Sequence, residues 1–150
     1  MTLAGAIDLG YDRSKRFLGE DSVRKLLGVV VGAVVAVGVI FALELLDHRL
    51  FSWPNVDMRD VAALRTMIEG APMTAKAMIV GGWFMGALAG GLIAVRLAGW
   101  AWAGWIVALL VVAGGVTNVL VIPHPLWMQV AAIAAPLFAG VVVSGASGAA

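Results

Sequence analysis

Five side chains in this sequence have the types and positions to do chemistry: Glu44, Asp47, His48, Asn118 and His124. Glu44 and His48 stand four apart and Glu44 and Asp47 three apart, spacings that put side chains on one helix face. A carboxylate with two imidazoles can ligate a metal, although two His without any Cys make a poor ligand set. His48 and His124, if held at one depth, have the makings of an axial pair for haem. A carboxylate beside a histidine can also relay protons or hold a cation for a carrier. Asn118 adds an amide of the kind that commonly bonds one membrane helix to another. A plainer expectation competes with all of these. Acids one turn from a helix end reach the membrane surface and pair there with Arg49 or Lys76.

The elements that must position these residues follow from composition. Hydrophobic residues make up 62% of the 150 and charged residues 13%, about half the ~25% of soluble domains. Mean hydropathy is +1.00. A soluble fold of this size cannot bury so much apolar surface, so the chain is expected to be an integral membrane protein. Without Cys it has no disulfide, iron–sulfur cluster or thiol chemistry. A net charge of +1 leaves no nucleic-acid footprint.

A bilayer core ~30 Å thick takes about 20 apolar residues per helical span. Four runs qualify, over about 26–46, 74–97, 101–122 and 126–143, the last interrupted by Pro136. The fold expected is an all-α bundle of four transmembrane helices. A segment 1–25 precedes it, an outer loop 48–73 separates the first two spans, and a tail 144–150 follows. Residues 1–20 carry Asp8, Asp12 and Glu20 and lack the basic-then-apolar order of a cleavable signal. They read as a loose surface helix or an unstructured stretch, with the first span starting at an Asp21 or Ser22 cap.

Lys and Arg set orientation. Arg13, Lys15, Arg16, Arg24, Lys25 and Arg96 fall on one side and Arg49, Arg59, Arg65 and Lys76 on the other, which puts both termini in the cytoplasm. Trp100, Trp102 and Trp105 then mark the inner interface, and Trp53, Trp83 and Trp127 the outer. Glu44, Asp47, His48, Asn118 and His124 gather at the outer leaflet.

Within the outer loop, Asn55-Val56-Asp57 precedes Met58-Arg59-Asp60, a cap followed three residues later by an acid. Val61, Leu64, Met67 and Ile68 recur at helical spacing until Gly70 and Pro72, predicting a short amphipathic helix on the membrane surface. Small residues then say how the spans meet, because helices in lipid associate through close backbone approach. Gly28, Gly32 and Ala36 repeat every four residues in the first span, and Gly82, Gly86 and Gly90 in the second. The third carries Gly114-Gly115, and the fourth Ala131, Ala135 and Ala139.

The order of these features resembles a widespread, uncharacterised group of small bacterial four-span membrane proteins. It runs from the acid and His closing the first span through Gly82-Trp83-Phe84-Met85-Gly86-Ala87-Leu88-Ala89-Gly90-Gly91. Gly114-Gly115-Val116-Thr117-Asn118 and Pro123-His124-Pro125-Leu126-Trp127 follow, so that the resemblance covers about residues 25–143. It implies a bacterial inner-membrane protein of this fold and brings no activity with it. The residues themselves spell out no catalytic set, cofactor or metal centre. The expectation is a non-catalytic accessory or scaffold subunit, surrounded by lipid and packed with other membrane helices, its own copies or those of a larger complex. The alternative is a small carrier or lipophilic-ligand binder using the outer-leaflet cluster. The position of Glu44 separates them: a carrier needs it on a cavity, whereas a scaffold lets it reach the headgroups.

Overall fold

The computed structural model describes residues 3–57 and 59–148, with side chains for 19–57 and 59–147. Its helices are α1 (Leu3–Leu50), α2 (Val61–Gly70), α3 (Met73–Ala98), α4 (Trp102–Val121) and α5 (Leu126–Gly148). All but α2 are long and apolar enough to cross a bilayer. The chain is a multi-pass membrane protein built as an all-α bundle.

The α1 helix does not begin at Asp21 or Ser22 as expected. It runs unbroken from Leu3, and Asp21 instead pairs with Arg24 one turn on, at 3.4 Å on an exposed face. A capping residue starts a helix only where the chain before it has left helical geometry, and the first proline is Pro54.

The α3 and α4 helices pack on each other, with α1 and α5 flanking the pair on opposite sides. The α1–α3 seam is the tightest. Gly90 abuts the Gly32 carbonyl, a methyl placed on Gly32 would lie 2.6 Å from Ala94 Cβ, and one on Gly28 would lie 2.7 Å from the Ala98 nitrogen. A methyl on Gly86 would lie 2.8 Å from the Ala36 oxygen. Dispersion between touching backbones is the main attraction that lipid leaves available.

Other small residues do not sit as expected. Gly82 lies on the same face but is not close-packed: a methyl there meets Leu43 Cβ at 3.7 Å, an ordinary contact. Gly114 faces open space, while its neighbour Gly115 backs onto the Ala132 carbonyl of α5. The buried stripe of α5 is Met128, Ala132, Pro136, Ala139 and Val143: Ala139 is buried as expected, whereas Ala131 and Ala135 are only half-buried beside Ala132 and Pro136. Val143 fills the notch at Gly104, and the Trp105 ring lies over Gly140.

The two ends of the bundle differ. At one, α3 stops on Gly99 in the left-handed conformation (φ 61°), and three residues turn the chain into α4. Lys25 lies over the Trp100 ring at 5.8 Å on that side. At the other end, residues 51–57, 59 and 60 and α2 form a covering layer. The α2 cap is Asp60, whose Oδ1 accepts from the Ala62 and Ala63 amides at 3.0 Å each. The expected start at Asn55–Asp57 is thus three residues early. Asp57 closes a turn of its own by accepting from the Arg59 amide at 2.9 Å, and Met58 lies outside the described residues. Leu64 and Ile68 are buried beneath α2, and Val61 points outward.

Candidate functional site

Beneath this covering layer lies a cavity of about 370 Å³. Glu44, Asp47, His48, Asn118 and His124 all line it, so the structure brings together the five residues singled out from sequence. They arrive from three directions: the last two turns of α1, the last turn of α4, and the turn between α4 and α5. Ile79 of α3 adds an apolar wall, and Met67 and Ile68 of α2 close the top.

Asp47 is the most buried of the set. It is 2% exposed, and its Oδ2 accepts a 2.8 Å hydrogen bond from the indole N–H of Trp53. The chain reaches this position because α1 ends with the Phe51 amide bonding to the Asp47 carbonyl and the Trp53 amide to that of Phe51. Pro54 then forbids further helix. The His48 ring stacks on Trp53 at 6.0 Å and 26°. Asp47 Oδ1 is buried without a hydrogen-bond partner. Such an atom is uncommon in folded proteins, because an unsatisfied buried acceptor forfeits its hydration with nothing in return.

Glu44 lines the cavity one turn deeper in α1, half-buried, and its carboxylate makes no ion pair or hydrogen bond with the described residues. The expected pairing with Arg49 or Lys76 does not form. Arg49 is exposed and off the cavity, while Lys76 Nζ donates to the Glu69 carbonyl at 3.0 Å and ties α3 to the end of α2.

The two histidines are held alike. His48 Nδ1 lies 3.1 Å from the Glu44 carbonyl and His124 Nδ1 lies 2.7 Å from that of Ile122. A carbonyl only accepts, so each Nδ1–H donates and each Nε2 is left for other partners. His124 is buried between Pro123 and Pro125, its carbonyl held by the Gln129 amide at 2.8 Å. Trp83 supports it from below, with ring centroids 6.3 Å apart. Trp83 is therefore a core residue, 4% exposed, and not part of an interfacial belt.

No known protein family, curated protein or solved structure matches this chain. The site is read on its own geometry. Among the described residues no group of three or more acids and histidines is placed to hold a metal ion. What the cavity offers is two carboxylates, an amide, two imidazoles and apolar walls, with no Lys or Arg in its lining. Trp53 is the residue that sequence reasoning missed. Its signal was a donor six residues past an acid, just before the first proline, but tryptophan near a span end reads first as an interfacial anchor.

Proposed function

We propose that this membrane protein binds a small, partly apolar ligand in the cavity beneath α2, as a carrier or ligand-binding protein of the bacterial inner membrane. The observation that carries this reading is Glu44, which stands on the cavity wall instead of reaching for the headgroups or a surface cation. Pockets that hold small ligands share this make-up, mostly apolar walls with a few convergent polar groups. The small-residue faces that favoured a scaffold are largely consumed inside the chain, in the α1–α3 seam and at Gly104, Gly115 and Gly140.

The test is a six-carbon panel of hexanol, hexanoate and hexylammonium, titrated calorimetrically onto protein in nanodiscs of neutral lipid. Saturable binding of at least one member, abolished by Asn118→Trp, which fills the cavity, is the expected result. Absence of saturable binding across the panel sinks the reading.

An accessory or scaffold subunit is the second reading, and one observation favours it. Val23, Leu27, Val30, Val34, Val37 and Phe41 form an exposed stripe at alternating four- and three-residue steps along α1, the spacing of a seam between two helices.

A further inference from the structure

The lining of the cavity says what class of ligand it takes, granted the reading that it binds one. Two carboxylates line it with no Lys or Arg beside them, and His48 is the nearest group that can carry positive charge. The Asp47 carboxylate, buried to 2% exposure, has one oxygen held by the Trp53 indole and the other held by nothing. A buried charge of this kind is costly unless a partner neutralises it and supplies hydrogen-bond donors. Neither histidine does so through Nδ1, because both spend that N–H on backbone carbonyls. The nearby lysine is engaged elsewhere, at the Glu69 carbonyl.

An anionic or zwitterionic ligand would meet this end of the cavity without a Lys or Arg to receive its negative group. A cation meets two acids and the stacked rings of His48 and Trp53, and an aromatic face attracts positive charge. We infer that the cavity takes a primary organic amine in its ammonium form, with the ammonium between Glu44 and Asp47. Its short apolar part lies against Ile79, Met67 and Ile68. The ammonium matters as much as the charge. It brings N–H donors to an acceptor that lacks one, which a quaternary cation cannot do.

A separate apolar groove lies next to the cavity. It measures about 550 Å³, lies on the other side of the 51–56 segment and shares Trp53, Pro54, Val56 and Met67 with the cavity.

The same nanodisc titration decides the matter. Hexylammonium is expected to bind, hexanol and hexanoate at least tenfold more weakly, and hexyltrimethylammonium likewise. Glu44→Gln and Asp47→Asn keep shape and keep an oxygen for the Trp53 indole, and each is expected to weaken hexylammonium binding at least tenfold. Arg49→Gln, off the cavity, is expected to leave it unchanged. If hexanol or hexanoate binds as tightly as the amine and Asn118→Trp abolishes it, the ammonium assignment falls while ligand binding stands. Full displacement of the amine by Na⁺ or Mg²⁺ at matched ionic strength overturns the assignment in favour of an inorganic cation. If no compound binds at all, the binding reading itself fails and takes the assignment with it.

Discussion

Asp47 shows how much of this site rests on a single donor. Its carboxylate is buried, and the Trp53 indole is the one hydrogen bond it receives from the described residues. Trp53→Phe keeps the ring against His48 and removes the donor, leaving both oxygens unsatisfied. The expected cost is roughly 1–3 kcal/mol in unfolding free energy, the usual penalty for an orphaned buried acceptor. Equilibrium denaturation in detergent measures it. Asp47→Asn is expected to cost less, because the amide oxygen goes on accepting. Equal stability of wild type and Trp53→Phe would mean that water already satisfies Asp47.

Packing along a helix is the next scale, and two glycines four residues apart on α3 make opposite predictions. At Gly86 an added methyl meets Ile40 Cγ1 at 2.6 Å and the Ala36 carbonyl at 2.8 Å. Gly86→Ala is therefore expected to destabilise by about 1–3 kcal/mol, as overpacking does. At Gly82 the nearest atom is 3.7 Å away. Gly82→Ala is expected to be neutral or to stabilise by up to ~1 kcal/mol, the backbone entropy glycine loses in a helix. Thermal unfolding of the two variants side by side checks both; equal losses would show that the seam is not where the glycines meet.

The same contrast shows what the residue order could reveal. A repeat of Gly at every fourth position identifies a close-packed face, and the α1–α3 seam was legible from it. Which glycine on that face touches backbone depends on where the partner helix crosses, and nothing in the repeat encodes that. So Gly82 was overvalued, and Gly104 and Gly140 were missed because they stand alone. In α5 the buried stripe keeps Ala139 but runs through Ala132 and Pro136 instead of Ala131 and Ala135, for a related reason: alanines fill both the face and its flank. In α2 the acid at position 60 was visible but its role was not, since Asp57 and Asp60 are equally good caps and only the chain path chooses between them. The polar cluster itself was legible because four spans of bilayer length leave few depths at which Glu44, Asn118 and His124 can lie.

For the whole molecule, the four spans put Lys25, the α3–α4 turn and the end of α5 on one side and the cavity on the other. By the positive-inside rule the Lys and Arg distribution predicts that the first of these sides faces the cytoplasm, and cysteine labelling tests it. The chain has no Cys, so single cysteines report cleanly. In intact cells an impermeant maleimide is expected to label Asn55→Cys and to spare Ser147→Cys until the membrane is permeabilised. The reverse pattern would invert the molecule and turn the cavity toward the cytoplasm.

The backbone-to-backbone seam between α1 and α3 also makes the cavity a blind one. Beneath it Trp83, Ala87, Ala36 and Val111 are buried, and α1 and α3 meet backbone to backbone at Gly86, Gly90 and Gly32. Net passage across the bilayer would require α1 to part from α3 along several turns, breaking contacts at Gly86, Gly90, Gly32 and Gly28 together. On the proposed reading, the packed arrangement would act as a receptor for the side that α2 faces, and carriage would need a second arrangement in which this seam opens.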